Sequence, residues 1–140
     1  MSRRAIFFYG LFMDRELLEG QGLTPQSLGR AVLHHYRIHI GARATLIASD
    51  GDRCFGVVMT LTEAEAESLY AEPSVREYAP EPVHVDLLDS GGPVAADCYN
   101  LPSDLAQQGT NPAYAAKLST LLERLGFDAA YVREVADFGR

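Results

Sequence analysis

Ala5-Ile6-Phe7-Phe8-Tyr9-Gly10-Leu11-Phe12-Met13-Asp14, near the start of a 140-residue chain, sets the first unit of the fold. Residues 5–9 are an unbroken apolar and aromatic run that stops at a glycine, the pattern of a short buried strand. Asp14 is placed to cap a helix over residues 15–19, which Gly20 and Gly22 end. The predicted unit is therefore strand, tight turn, helix. At the Tyr9-Gly10-Leu11-Phe12 turn, a residue without a Cβ lets a ligand approach the backbone closely. The amides that open a helix have no partner inside it, and with the helix dipole they make a seat for a carboxylate or phosphate. The plainer reading of Gly10 is that it only permits the turn.

Working outward, residues 30–40 alternate as a strand, with Val32, Tyr36, Ile38 and Ile40 as its apolar positions. Residues 44–48 and 53–61 read as a strand pair joined by a hairpin at Asp50-Gly51, because glycine accepts the positive φ of a tight turn. Thr62-Glu63-Ala64-Glu65 is a capping box. It opens a helix to about residue 71, where Pro73 keeps Glu72 out of the helical region. Val83, Val85 and Leu87 alternate on a further strand, and Ser90-Gly91-Gly92-Pro93 turns the chain into another at 94–101. The period then changes. Asn111 caps a helix with Pro112 in its first position and Tyr114, Leu118, Leu121, Leu122 and Leu125 on one face. Gly126 closes it, and Asp128 caps a last helix carrying Tyr131, Val132 and Val135. Strands first, helices last and hairpin-type connections predict an α+β fold. Its mixed or antiparallel sheet curls into a small β-barrel flanked by helices, in one domain over residues 1–140.

Composition narrows the function classes. A hydrophobic fraction of 47% and a charged fraction of 22% belong to an ordinary globular chain, with irregular structure expected only around Ser90 and Gln107. The net charge of -7, with no offsetting Lys/Arg cluster, repels phosphate backbones and anionic bilayers. No nucleic-acid partner and no membrane association are expected. Cys54 and Cys98 lie too far apart for a disulfide framework or a metal motif and read as free thiols in a reducing, cytoplasmic setting. Ser2-Arg3-Arg4 before an apolar run superficially resembles a twin-arginine signal. That run ends at Met13, however, and Asp14-Arg15-Glu16 follow without a cleavage site, so export is not expected.

Among residues that could carry chemistry, Glu72 lies in Leu69-Tyr70-Ala71-Glu72-Pro73-Ser74-Val75. Apolar neighbours there would supply the desolvation an acid–base shuttle needs. The plainer alternative is a solvated carboxylate at a helix end. His34, His35 and His39 do not read as a metal set, because on a strand His34 and His35 point to opposite faces and no acid completes a ligand shell. His84 is a lone strand histidine. Nucleophile-elbow, Walker and dinucleotide fingerprints are absent. Neither a metal nor a cofactor is expected.

In this order the residues resemble the γ-glutamylcyclotransferase-like superfamily over nearly the whole chain. Phe7-Phe8-Tyr9-Gly10-Leu11-Phe12-Met13 is similar to its strand running into a Tyr-Gly turn. Cys54-Phe55-Gly56-Val57-Val58 through Leu61-Thr62 resembles its Gly-Val strand and helix start. Residues 69–78 resemble the segment that holds its catalytic glutamate. Asn111-Pro112-Ala113-Tyr114 through Leu125-Gly126-Phe127-Asp128-Ala129-Ala130-Tyr131 resembles its closing helical pair.

The resemblance implies cyclisation of a γ-glutamyl amine or dipeptide to 5-oxoproline with release of the amine. Its substrate is a small molecule with a free amino-acid head group. Tyr9, Gly10, Leu11, Phe12 and Tyr78 would bind it, and Glu72 would be general acid and base. The sequence departs from the family at four places. Leu11 replaces a Ser or Thr, Tyr70 an Asp and Pro80 an Arg, while ungapped alignment on Val75 puts Pro73 at the catalytic position. Glu72 is then one residue off, with Glu77 the fallback acid. The departures motivate a second expectation, a relative that only binds a small anionic ligand.

Overall fold

The computed structural model describes residues 3–106 and 108–139, so Gln107, expected to be irregular, and Ser2 of the arginine motif lie outside the described residues. The chain runs β1 (Arg3–Phe8), a 3-10 turn (Leu11–Met13), α1 (Arg15–Gly20), β2 (Gln26–Ile40), β3 (Ala44–Thr62) and α2 (Glu63–Tyr70). It continues through β4 (Ala79–Leu87), β5 (Pro93–Asn100), α3 (Ser103–Ala106), α4 (Pro112–Arg124) and α5 (Ala129–Asp137). The strands form a closed barrel in the order β1-β3-β2-β4-β5. Neighbours are antiparallel except for β1 and β5, whose short parallel contact at Ile6 and Asp97 closes the barrel. Closure leaves no sheet edge. The expected mixed barrel with flanking helices is the architecture observed.

β1 is apolar throughout its second half because it is covered on both sides: Ile6, Phe7 and Phe8 are all buried. Its polar start has a separate job. Arg4 Nη2 donates to Asp97 Oδ2 at 2.7 Å, and the Arg3 guanidinium donates to Thr60 and Thr24. The two arginines are strand residues that tie β1 to β5 and β3. No helix among the described residues is long and apolar enough to cross a membrane.

Gly56 shows why the barrel needs a glycine on β3. A Cβ there would meet the Phe8 carbonyl oxygen and come within 2.9 Å of the Phe7 ring. Close backbone approach, rather than dihedral freedom, keeps this position small.

The hairpin expected at Asp50-Gly51 is not formed. Residues 44–62 are one strand running antiparallel to β2, with Ala48 opposite Tyr36 and Arg53 opposite His34. Residues 49–52 bulge out against the single residue His35, and Gly51 takes φ +83. The glycine signal was real, but it serves a bulge, and the β2–β3 reversal lies at 41–43 instead. His35 itself has φ 69, so the alternation expected of the histidines breaks there. A bulge re-aims side chains in this way.

The helix ends follow local chemistry. Asp14 Oδ1 accepts from the Glu16 amide at 3.1 Å, Asn111 Oδ1 from the Tyr114 amide at 3.0 Å, and Asp128 Oδ2 from the Tyr131 amide at 3.3 Å. Helices α4 and α5 pack on the barrel through Leu118, Leu122, Tyr131 and Val135, all fully buried. The Tyr131 hydroxyl lies 3.3 Å from Cys54 Sγ, and burial pushes that thiol up to about 12, so it stays protonated at neutral pH.

At α2 the capping box closes in both directions, with the Glu65 amide donating to Thr62 Oγ1 and the Thr62 amide donating to Glu65 Oε1. Glu65 Oε2 also accepts from the Thr24 amide at 2.7 Å and its hydroxyl at 3.0 Å. The backbone N–H of Thr62, then that of Thr24, hold the Glu65 carboxyl down at about 2. A carboxyl lowered on folding stabilises above its unfolded value, near 4.3, and that stability is lost as pH falls toward 2. After discounting for solvent screening the effect is about 2 kcal/mol. We expect Glu65→Gln to remove it, so that the variant and the wild type differ by denaturant titration at pH 7 and converge near pH 2.

Candidate functional site

Where β1 leaves the barrel, its last residues and the turn line a cavity of about 310 Å3, at the small end of the usual ligand-site range of roughly 300–1,000 Å3. Four of the site residues read from sequence, Tyr9, Gly10, Leu11 and Phe12, line it, and Tyr78 faces them from the segment before β4. The structure brings these five together. It does not bring Glu72 with them. Glu72 is solvent-exposed in the turn after α2, and its carbonyl accepts from the Val75 amide at 3.0 Å. Ser74 and Val75 of the same turn do line the cavity. The apolar cover expected around Glu72 is therefore missing, because its neighbours Ala71 and Pro73 are exposed together with it.

Gly10 has φ -109 and ψ -155, a conformation any residue adopts, so the turn does not need its dihedral freedom. The reason for glycine is Tyr114 of α4, whose hydroxyl occupies the space a Cβ would take. That hydroxyl accepts the Leu11 amide at 3.2 Å. Of the turn's amides, that of Leu11 is thus already committed. Among the described residues, the Gly10 and Phe12 amides have no protein acceptor and remain to receive one. Asn111 fixes Tyr114 by capping its amide and ties α4 to the 41–43 loop through a 3.2 Å bond from Nδ2 to the Ala42 carbonyl.

The other wall is aromatic. Tyr70 at the end of α2 stacks on Tyr99 of β5 with centroids 3.7 Å apart and planes 7° from parallel. Phe12 meets Tyr70 edge-on at 6.0 Å. The Tyr9 hydroxyl donates to the Tyr99 carbonyl at 2.6 Å, and the Tyr78 hydroxyl donates to the Ala44 carbonyl. Burial, and then the neighbouring tyrosine and cysteine groups, push the Tyr9 and Tyr70 hydroxyls well up; burial does the same to Tyr78 and Tyr114. These phenols stay protonated at neutral pH and are not bases.

Arg43 supplies the cavity's cation. Its Nη1 donates to Glu77 Oε1 at 2.6 Å and to the Ser74 carbonyl at 3.2 Å, with the guanidinium 5.9 Å from the Tyr78 ring centroid. The Arg43 hydrogen bond holds the Glu77 carboxyl below its usual range. Glu77, the fallback acid, is consumed as the partner of Arg43. Sequence reading missed Arg43 and Tyr99, and it placed Tyr114 only in the helix core. A lone arginine in a short loop carries no local signal. The Asn-Pro cap located the start of α4 but not the barrel end it faces.

The arrangement can hold a small anionic head group at the turn with an apolar remainder against the tyrosines. Among the described residues, no carboxylate lines the cavity.

Comparison with known proteins places this geometry. No curated protein sequence matches the chain. Among solved structures it is similar to a γ-glutamyl cyclotransferase with a TM-score of 0.78 and 17% identity, over 96% of this chain and 86% of that one. YkqA from Bacillus subtilis aligns with a TM-score of 0.80 and 20% identity, over 99% of this chain and 55% of that one. A yeast γ-glutamyl cyclotransferase specific to glutathione aligns with a TM-score of 0.65 and 15% identity, over 99% and 96%. At these identities the structures establish the fold. The profile of the family described as "Gamma-glutamyl cyclotransferase, AIG2-like" matches residues 6–117, and the chain belongs to that family.

Proposed function

We propose that the cavity binds a small molecule with a free amino-acid head group and that the chain is a cyclotransferase acting on a γ-glutamyl amine or dipeptide. The observation that carries the reading is the turn itself. In a chain of this family, two amides without a protein acceptor among the described residues, at Gly10 and Phe12, belong to a turn that lines a cavity together with one guanidinium, that of Arg43. The α-carboxylate of the ligand accepts from those amides, within the field of Arg43. The γ-amide then lies among Tyr70, Tyr78 and Tyr114.

The reaction is balanced without another reactant. The substrate's α-amine attacks its own γ-carbonyl carbon, the ring C–N bond forms and the exocyclic C–N bond breaks. The α-ammonium nitrogen gives up two protons, one before it attacks and one as the ring closes, and both end on the departing nitrogen, which leaves as an ammonium. Because nucleophile and electrophile belong to one molecule, holding the chain folded supplies much of the rate. Glu72 is the proton carrier in this reading, reaching the bound head group from the rim that Ser74 and Val75 help to form.

A specific observation favours a second reading, in which the cavity binds without turnover. Glu72 lies in solvent, and Pro73 holds the neighbouring position. Glu72→Gln separates the two. The first reading expects the variant to keep its fold and ligand affinity and to lose at least 100-fold in 5-oxoproline release. Unchanged release would reject Glu72 as the base. A ligand that raises the melting temperature of the wild type and is never consumed would establish binding alone.

A further inference from the structure

We infer that the cavity selects a γ-glutamyl amine whose departing nitrogen carries a neutral apolar group, aromatic in the best case, and discriminates against a charged one. The inference rests on the reading just proposed and narrows its substrate.

Charge is the first argument. Among the described lining residues one side chain is charged, Arg43, and Glu77 already sits 2.6 Å from it. The head group's carboxylate takes what remains of that field. A second carboxylate, as on a dipeptide, or an ammonium, as on a lysine adduct, would enter a wall that offers no counter-charge, and an unpaired charge is costly to desolvate.

Polar capacity is the second. The Tyr9 and Tyr78 hydroxyl protons are committed to the Tyr99 and Ala44 carbonyls, and the Tyr114 oxygen accepts the Leu11 amide. Tyr9 and Tyr78 therefore present ring carbon and an acceptor oxygen to a ligand, with no hydroxyl proton left to give a second carboxylate.

Shape is the third. Ring contacts run without a break from the end of β1 to β5: Phe8 to Phe12 at 6.3 Å, Phe12 to Tyr70 at 6.0 Å, and Tyr70 stacked on Tyr99 at 3.7 Å. Leu17, partly exposed, and Val75 extend this apolar surface to the rim. Such a wall suits a flat or branched hydrocarbon, which gains edge or face contacts with the rings.

The test compares three probes on the intact protein, by kcat/KM where 5-oxoproline forms and by Kd where it does not. They are γ-glutamylbenzylamide, γ-glutamylglycine and Nε-(γ-glutamyl)lysine, which carry a neutral aromatic, an anionic and a zwitterionic leaving group. The expected result is at least a tenfold preference for the benzylamide over each of the others. Tyr70→Leu should cut that preference at least fivefold, while Tyr70→Phe, which keeps the stacked ring, should retain it. Equal values for the three probes, or a preference for a charged one, would overturn the inference and leave the cyclotransferase reading standing. Neither binding nor turnover of any probe would overturn both. Should Tyr70→Leu fail to fold, the wild-type ranking and Tyr70→Phe decide the matter.

Discussion

Gly10→Ala is expected to weaken ligand binding at the cavity at least tenfold, and adding Tyr114→Phe is expected to restore most of the loss. Alanine fits the Gly10 backbone, whose φ of -109 is ordinary. What it does not fit is the Tyr114 hydroxyl, which stands where the Cβ would be, while the ring carbon Cζ is a comfortable 3.8 Å away. The clash is with one oxygen atom. Relieving it by moving Tyr114 breaks the hydrogen bond to the Leu11 amide and shifts a wall of the cavity, so folding and binding both suffer. Overpacking of this kind costs about 1–3 kcal/mol. The upper half of that range exceeds a factor of ten in affinity, at about 1.4 kcal/mol per decade. Removing the oxygen removes the clash, at the smaller cost of an unpaired Leu11 amide, about 1 kcal/mol. Calorimetric titration with a γ-glutamyl ligand, alongside thermal unfolding of the two single variants and the double, reads the cycle. A harmless Gly10→Ala, or a double variant no better than the single, would contradict the contact.

Gly56→Ala should be the more damaging change to the fold, costing about 3 kcal/mol and lowering the melting temperature by roughly 10 °C. Here the added Cβ meets a carbonyl oxygen of β1 as well as the Phe7 ring, and neither can swing aside. β1 is paired to β3 over its whole length and closes the barrel against β5. Relief therefore has to come from moving a central strand. Gly20→Ala is the control: nothing lies within 4 Å of its Cβ, and a small gain or no change is expected. If both variants melt together, the barrel is looser at this crossing than the distances imply.

The parts of this architecture that were legible in the sequence are those that local chemistry decides. Asp14, Thr62, Asn111 and Asp128 each cap the helix expected of them, because the partner amide lies two or three residues away. The aromatic run at 5–9 reads as buried because one strand carries the whole signal. Asp50-Gly51 misled for the complementary reason. A positive φ in a short polar segment marks either a hairpin or a bulge, and the choice depends on which residues of β2 lie opposite. The site divides along the same line. Tyr9, Gly10, Leu11 and Phe12 are contiguous and were found together. Arg43, Tyr99 and Tyr114 reach the cavity from three separate elements, and only barrel closure brings them to it. Glu72 has apolar neighbours along the chain, but Ala71 and Pro73 are exposed together with it.

The most direct measurement is the stoichiometry of products when the purified protein is incubated with γ-glutamylbenzylamide, γ-glutamyl dipeptides and γ-glutamyl alkylamines. The account predicts 5-oxoproline and free amine in equal amounts from at least one of them, with release strongly reduced in Gly10→Ala. Binding of these compounds with no 5-oxoproline from any of them would contradict the cyclotransferase reading and leave a binding protein built on the same cavity.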